Sequence, residues 1–270
     1  MTFDDINRRG IVLLGCGKMG SAMLQGWLDR GLDPGAVWVR DPNPSDWLRG
    51  LGVHLDEPDP AAPAVVLVAV KPQMMDDALP GVAAHGGGGT LFVSIAAGTP
   101  IARLEAALGA GTPIVRAMPN TPAAIGRGIT ALIGNAHVGE PGLALCETLL
   151  AAVGETVRLD LEGQMDAVTG VSGSGPAYVF HMIEALAAAG EAEGLAPDLA
   201  MQLAAATVSG AGALAAESGD SPARLRENVT SPAGTTAAGL AVLMDETDGL
   251  APLMRRTVAA AAARARELGG

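Results

Sequence analysis

A glycine-rich turn near the N-terminus has the spacing of a phosphate-binding loop. Its pattern G-x-G-x-x-G places glycines at Gly15, Gly17 and Gly20, directly after the apolar run 11–14. Apolar residues then recur at helical spacing, which predicts a buried strand, a turn and a helix. The first glycine permits a tight turn, the second lets a pyrophosphate approach the backbone, and the third lets helix and strand pack closely. The pattern therefore predicts a dinucleotide site at the helix N-terminus.

Three other predicted strands end in short segments of small residues, prolines and one amide. Ligands of open α/β sheets lie beyond the carboxyl ends of the strands. Small residues let a flat ring lie close to the backbone, and Asn120 can present an amide to a carboxamide or a ribose hydroxyl. Generic strand-to-loop chemistry is the alternative for any single segment. Together with the glycine turn they predict a cofactor groove that contains Gly15, Gly17, Lys18, Met19, Gly20, Arg40, Ala69, Val70, Lys71, Pro72, Ala96, Ala97, Pro119 and Asn120.

The end of the second predicted strand bears on which nicotinamide cofactor is bound. Arg40 and Asp41 stand there next to each other. An acid at this place favours NADH by binding the 2′-hydroxyl, whereas an arginine favours NADPH by pairing with the 2′-phosphate. Because both residues are present, the pattern leaves the choice open. We predict a preference for NADPH, with Arg40 responsible.

Two helix starts in the second half of the chain are rich in serine, threonine and glycine. They lie at residues 171–178 and 229–236. The first N–H groups of a helix lack partners within it and therefore bind anions. Neither segment contains a lysine or arginine, which favours a carboxylate over a phosphate. Simple capping by serine and threonine is the alternative interpretation. Glu162 precedes both segments and can face a cationic group on a substrate.

Strand and helix signals alternate up to residue 161, and only helix signals follow. The alternation predicts an α/β, Rossmann-type nucleotide-binding domain, residues 1–161, with a parallel sheet and right-handed crossovers. An all-α domain for substrate binding and dimerisation, residues 162–270, is predicted to follow it. The predicted strands are 11–14, 36–39, 52–55, 64–70, 91–95, 114–117, 129–133 and 156–159, and the predicted helices of the second domain are 166–171, 176–194, 198–217, 222–228, 235–245 and 250–268.

Composition excludes several classes of function. The net charge of −12 argues against nucleic acid, because phosphate backbones require a basic face. The first ten residues are polar, and we expect neither a signal peptide nor an apolar run that approaches a membrane span. Cys16 and Cys146 form neither a disulfide framework nor a metal site. We therefore expect a cytoplasmic protein with no metal, no membrane and no nucleic-acid partner.

The predicted helix 198–217 is apolar nearly all round. A helix of this kind must be buried on most sides, and a domain of about 110 residues buries a small fraction of its surface by itself. We therefore predict a homodimer, or a larger decamer-like ring of dimers, joined through the helical domains. A monomer whose alanine-rich helices bundle internally is the alternative.

Several segments together resemble pyrroline-5-carboxylate reductase, in order along nearly the whole chain: 69–72, 94–98, 116–122, 171–180 and 231–236. The resemblance implies NAD(P)H-dependent reduction of Δ1-pyrroline-5-carboxylate, a cyclic imino acid, to L-proline, the last step of proline biosynthesis. It also implies that the loop 231–236 holds the substrate carboxylate and that Thr236, the catalytic residue, points its hydroxyl at the ring nitrogen. The substrate-binding set is then Glu162, Ser174, Asn228, Val229, Ser231, Gly234, Thr235 and Thr236.

One departure from the family falls in that loop. Members often have two glycines where this chain has Ala233 and Gly234. Alanine is tolerable unless the residue needs a positive φ angle. The chemistry itself suits the residues, because a protonated cyclic imine is already electrophilic and hydride transfer to it requires no metal and no strong general acid.

Two other functions compete with the reductase interpretation. Dehydrogenases of the β-hydroxyacid and 6-phosphogluconate type share the two-part architecture but use a lysine on the helical domain. The lysines of this chain are Lys18 and Lys71, both in the first domain, which counts against that class. A non-catalytic NADP-binding sensor is the second rival, and it would not need an anion loop at 231–236.

Overall fold

The computed structural model describes residues 3–269 of the chain, which form two compact units. One unit runs up to Gly173 and also takes in the last residues from Ala261 onward, and the other is Ser174–Ala260. The predicted border after residue 161 lies 12 residues before the observed one, which follows Gly173. A short helix and a wide helical turn between residues 162 and 173 belong to the first unit. The functional division at that border stays a prediction.

The first unit contains an eight-stranded sheet, which confirms the predicted Rossmann-type fold. The strand order is β3-β2-β1-β4-β5-β6-β7-β8. The inner strands β1 and β4 are buried at every position, as expected for strands covered on both faces. The strands are β1 (Ile11–Leu14), β2 (Val37–Arg40), β3 (His54–Leu55), β4 (Val65–Val68), β5 (Leu91–Ser94), β6 (Ile114–Met118), β7 (Gly128–Gly134) and β8 (Gly154–Arg158).

The prediction of an all-parallel sheet is wrong at β7. This strand pairs antiparallel with β6, with Met118 opposite Ala131 and Val115 opposite Gly134. A parallel connection needs a crossover of about a dozen residues or more, and residues 119–127 are too few to supply one. The chain therefore turns back beside β6, and β8 then pairs parallel with β7.

Alternate side chains of β1 enter two apolar cores on the two faces of the sheet. Ile11 and Leu13 pack with Trp27, whereas Val12 and Leu14 pack with Leu104. The helices of this unit are α1 (Phe3–Arg9), α2 (Lys18–Leu28), α3 (Asp46–Arg49), α4 (Met75–Ala78), α5 (Ile101–Leu108), α6 (Glu140–Leu150) and α7 (Met165–Val168).

The second unit is helical in its described residues, as predicted. Its core is small, formed by Ala187, Ala200 and Ala204 with Ile183 packed against them. The helices are α8 (Gly175–Ala192), α9 (Pro197–Glu217), α10 (Pro222–Asn228), α11 (Thr235–Leu243) and α12 (Leu250–Gly269), the last of which continues into the first unit.

Helix α9 corrects one expectation about membranes. By length and composition alone it could cross a bilayer, with a mean hydropathy of 1.5 over its most apolar stretch. The prediction that no apolar run approaches a membrane span is therefore wrong for α9. Many residues of α9 are small and apolar, which raises its mean hydropathy and leaves little polar face. Only 11% of that stretch is buried inside the protein.

Candidate active site

The glycine turn has the geometry of a phosphate-binding loop. Gly15 has φ +88°, a left-handed conformation that side chains other than that of glycine rarely adopt. A Cβ on Gly20 would lie 2.8 Å from the carbonyl oxygen of Gly15, so helix and strand are too close for a larger residue there. Gly17 precedes α2 and has open space where its Cβ would be. The turn therefore leaves room for a pyrophosphate beside Gly17 and the α2 N-terminus.

The turn is tied to the end of β2 by two hydrogen bonds. The Gly15 N–H donates to the carbonyl oxygen of Arg40 at 2.9 Å. The Cys16 N–H donates to the Asp41 carboxylate at 2.7 Å. Burial raises the pKa of the Cys16 thiol, so this side chain stays a neutral, small filler of the turn. Lys18 and Met19 begin α2 immediately afterwards.

The Arg40 guanidinium, predicted to pair with a cofactor 2′-phosphate, forms hydrogen bonds within the protein instead. Its Nε and Nη2 donate to the two oxygens of Asp59 at 2.9 and 2.7 Å, and its Nη1 donates to the Gly81 carbonyl at 2.9 Å. The Asp59 side chain is 4% exposed. A buried carboxylate needs a paired cation, and Arg40 is that cation.

The other strand ends place small residues and turns at the sheet edge. Ala69 continues β4 with its N–H on the Leu14 carbonyl at 2.8 Å. Lys71 is exposed and precedes a short 3₁₀ turn that begins at Pro72. Ala96 is buried beyond β5. Because β1, β4 and β5 run parallel, these segments and the glycine turn meet at one edge of the sheet. Val70, Ala97 and Pro119 lie in the same strand-end segments.

Asn120 uses both ends of its amide within the protein. Its Nδ2 donates to the Ser172 carbonyl at 3.2 Å, and its Oδ1 accepts the Ile129 N–H at 2.9 Å. These bonds brace β7 against a helical turn, and the presentation of this amide to a cofactor stays a prediction. The brace fixes the loop in which Pro119 lies.

One carboxylate oxygen of Glu162 also bonds within the protein. Its Oε1 accepts from Arg116 Nη1 at 2.7 Å and from the Ile101 N–H at 2.9 Å. Arg116 is 7% exposed on β6, and its buried charge requires a partner. This oxygen faces Arg116 and the start of α5, and the role of Glu162 toward a substrate cation stays a prediction.

Sequence reasoning missed the π-helical turn Thr169–Gly173. It follows α7 and ends directly before Ser174 and α8. Wide turns of this type occur often at functional sites. Thr169 and Ser172 each donate a side-chain hydrogen bond back to a carbonyl four residues earlier, Met165 at 2.9 Å and Val168 at 3.1 Å. The run of serine and glycine in this segment is the sequence feature that could have predicted an irregular helical turn here.

The loop before α11 has no side-chain cap. Gly234 is the residue before the helix, and its N–H donates to the Ser231 carbonyl at 3.1 Å. Thr235 and Thr236 open the helix and are exposed, and the Thr236 hydroxyl has no hydrogen-bond partner within residues 3–269. Asn228 ends α10, and Val229 is exposed beside it. The predicted carboxylate loop is therefore a helix start whose donors and hydroxyl groups are available.

Ala233 lies in this loop with φ +58°. The left-handed conformation is costly for a residue with a Cβ. The condition under which alanine would be unfavourable at this position is therefore met in the structure.

Fold and site together define a class: an oxidoreductase with a Rossmann-type domain for a nicotinamide dinucleotide and a separate helical domain. Residues 10–98 match a family model described as NADP oxidoreductase, coenzyme F420-dependent. Residues 162–268 match the model described as pyrroline-5-carboxylate reductase dimerisation. The chain belongs to the pyrroline-5-carboxylate reductase family.

Relatives that align with nearly the whole chain support this assignment. The chain is 39% identical to the pyrroline-5-carboxylate reductase of Pseudomonas aeruginosa, with 96% of each protein covered. It is 37% identical to that of Methanosarcina acetivorans over 96% of this chain and 97% of the relative. Among solved structures, the Coxiella burnetii reductase is similar with a TM-score of 0.90, 34% identity and coverage of 97% and 99%. The Plasmodium falciparum enzyme, solved with NADP bound, has a TM-score of 0.83 and 27% identity, with coverage of 98% and 99%.

Proposed function

We propose that this protein is a pyrroline-5-carboxylate reductase, which reduces Δ1-pyrroline-5-carboxylate to L-proline with NAD(P)H. The observation that carries the proposal is the uncapped start of α11, where the Thr236 hydroxyl has no protein partner. It lies within the segment that matches the family's own domain model.

The residues of this loop suit a cyclic imino acid. The free N–H groups at the start of α11, with Ser231 and Thr235 beside them, bind the substrate carboxylate. Thr236 donates or accepts a hydrogen bond at the ring nitrogen and so fixes the orientation of the ring. Asn228, Val229, Gly234 and Ser174 complete the proposed set. Bound NAD(P)H supplies the hydride to the imine carbon, and the nitrogen keeps its proton as the C=N double bond becomes a single bond.

The cofactor site is the glycine turn with the strand ends beside it. Its residues fit a dinucleotide because Gly17 leaves open space and α2 offers its first N–H groups to the pyrophosphate. The preference for NADPH predicted from Arg40 loses its main support, since the guanidinium is paired with Asp59. The NADP-bound Plasmodium structure supports NADP binding in another member of the family.

We further propose that the protein works as a homo-oligomer, a homodimer or a ring of dimers, in the cytoplasm. The match of residues 162–268 to a dimerisation model supports assembly through the helical unit. Exposed apolar side chains on α8 and α9 support the same arrangement.

The test is Thr236→Val in the full chain, with purified substrate and both reduced cofactors. Loss of one hydrogen bond to a charged group costs about 1.5–3 kcal/mol, so kcat/KM for the imine should fall roughly tenfold to a hundredfold. The dissociation constant of the cofactor should stay unchanged. Thr236→Ser, which keeps the hydroxyl, should recover most of the activity. Wild-type kinetics in the valine variant would remove Thr236 from the site, and no imine-dependent cofactor oxidation in the wild type would overturn the proposed function.

A further inference from the structure

The carboxylate of Asp41 lies where a dinucleotide presents its adenosine ribose. Asp41 follows β2 directly, and its Oδ2 accepts the Cys16 N–H of the glycine turn at 2.7 Å. Its Oδ1 accepts the Asn43 N–H at 2.8 Å. In Rossmann-type domains an acid about 20 residues beyond the glycine pattern binds the ribose 2′-hydroxyl. Asp41 has that spacing and is held beside the turn by the backbone.

The positive charge next to Asp41 is already neutralised. Arg40 forms a two-pronged pair with Asp59, and its third nitrogen donates to the Gly81 carbonyl. Asp59 also accepts from His85 Nε2 at 2.9 Å. A fork-to-fork pair with a buried carboxylate is the strong form of this interaction, so Arg40 is fixed toward Asp59.

The remaining charge at the end of β2 is therefore negative. Among residues 3–269, no arginine or lysine nitrogen lies within 4.0 Å of the Asp41 carboxylate. A 2′-phosphate, which carries about −1.5 to −2 charges at neutral pH, would be brought next to this carboxylate while Arg40 is already paired with Asp59. A 2′-hydroxyl can instead donate a hydrogen bond to it.

We propose that this protein prefers NADH to NADPH, with Asp41 as the residue that determines specificity and Asp59 as the positioning residue that withholds Arg40 from a phosphate. The inference rests on the proposed function only in that a nicotinamide dinucleotide binds at the glycine turn. It reverses the preference that the sequence alone favoured. The difference between the two interpretations is the pairing of Arg40, which the sequence does not show.

The first experiment measures the dissociation constants of NAD⁺ and NADP⁺ for the full-length protein by isothermal titration calorimetry. The wild type should bind NAD⁺ roughly tenfold or more tightly than NADP⁺, since like charges in close contact repel. Asp41→Asn should lower this ratio by about tenfold or more, with NADP⁺ gaining affinity and NAD⁺ losing it. Asp59→Asn should strengthen NADP⁺ binding alone, because it releases Arg40.

The matched control is Asp33→Asn. Asp33 is exposed, lies before the N-terminal end of β2, opposite to the end that Asp41 follows, and accepts a backbone N–H at 2.9 Å, which an asparagine oxygen can also do. It removes one negative charge from the same unit and should leave the ratio of the two dissociation constants unchanged. Asp41→Ser repeats the test if the asparagine variant does not fold.

The outcomes separate the two proposals. Tighter wild-type binding of NADP⁺ than of NAD⁺, or an equal effect of Asp41→Asn on both dinucleotides, overturns the preference for NADH and leaves the proposed reductase function standing. Failure of the wild type to bind either dinucleotide removes the proposed function and the preference together.

Discussion

The two units of the molecule bury their apolar side chains in different ways. In the nucleotide-binding unit, β1 and β4 are buried at every position, and α2 contributes the fully buried Trp27. In the unit Ser174–Ala260, helix α9 buries Ala200 and Ala204 but leaves its larger side chains about half exposed, including Leu199, Leu203 and Leu214. The first unit completes its core with its own residues, whereas the second has apolar surface that exceeds its core.

The second unit is where the chain depends on a second copy. Large apolar surface on a soluble protein marks an interaction site. The residues involved lie inside the segment that matches a dimerisation model. Stability of the first unit should therefore be a property of one chain, and stability of the second should depend on protein concentration.

A cavity in the core of the first unit should destabilise that unit strongly and by itself. Leu67 is 1% exposed on β4, between β1 and β5. Leu67→Ala should lower the free energy of unfolding by about 2–5 kcal/mol, because a cavity remains in a packed core. All three tryptophans lie in this unit, so denaturation followed by tryptophan fluorescence reports on it. The loss should be the same at high and low protein concentration, and a dependence on concentration would contradict the comparison.

A second variant tests the brace within the first unit. Glu162→Gln leaves the buried Arg116 without its counter-charge, and we expect a loss of about 1.5–3 kcal/mol in the free energy of unfolding. KM for the imine should change little. Glu155→Gln, an exposed site on β8, serves as the control and should be neutral. A raised KM with unchanged stability would instead place Glu162 in the substrate site.

A third variant addresses the interface of the second unit. Leu203→Ala removes a half-exposed side chain of α9 and should weaken self-association by about 1–2 kcal/mol, or roughly five- to thirtyfold in the dissociation constant. Sedimentation equilibrium over a dilution series measures this constant. Gln202→Ala, the adjacent polar position, should change it less. A fully active wild-type species of 27.0 kDa at low micromolar concentration would show that the helices need no partner.

Much of the fold could be predicted from the sequence because it is local. Short segments rich in apolar residues predicted each strand to within a few residues, and proline and serine starts predicted α8 and α10. Strand direction at β7 was missed, since β7 is buried at consecutive positions and its apolar pattern is like that of its parallel neighbours. The shortness of residues 119–127 was the usable signal.

The site was less predictable because its residues are fixed by distant partners. Gly15, Gly17 and Gly20 follow from backbone geometry and could be read from spacing. The states of Arg40, Asn120 and Glu162 depend on Asp59, Ser172 and Arg116, at separations that no local pattern encodes. A side chain's type indicates what it can bind, and only the folded chain shows whether that capacity is already used.

Backbone strain in the helical unit should have a modest effect on its stability. Ala233 has φ +58° directly before Gly234 and the start of α11. The left-handed conformation costs an alanine about 1–2 kcal/mol, and glycine gives back part of this through its greater freedom in the unfolded chain. Ala233→Gly should therefore raise the free energy of unfolding of this unit by about 0.5–1 kcal/mol, measured by far-ultraviolet circular dichroism at fixed protein concentration. Ala237→Gly, inside α11, should lower it by about 1 kcal/mol, because glycine is a poor helix former. Equal losses in both variants would show that the loop gains nothing from glycine and that Ala233 is held in place by contacts that compensate its strain.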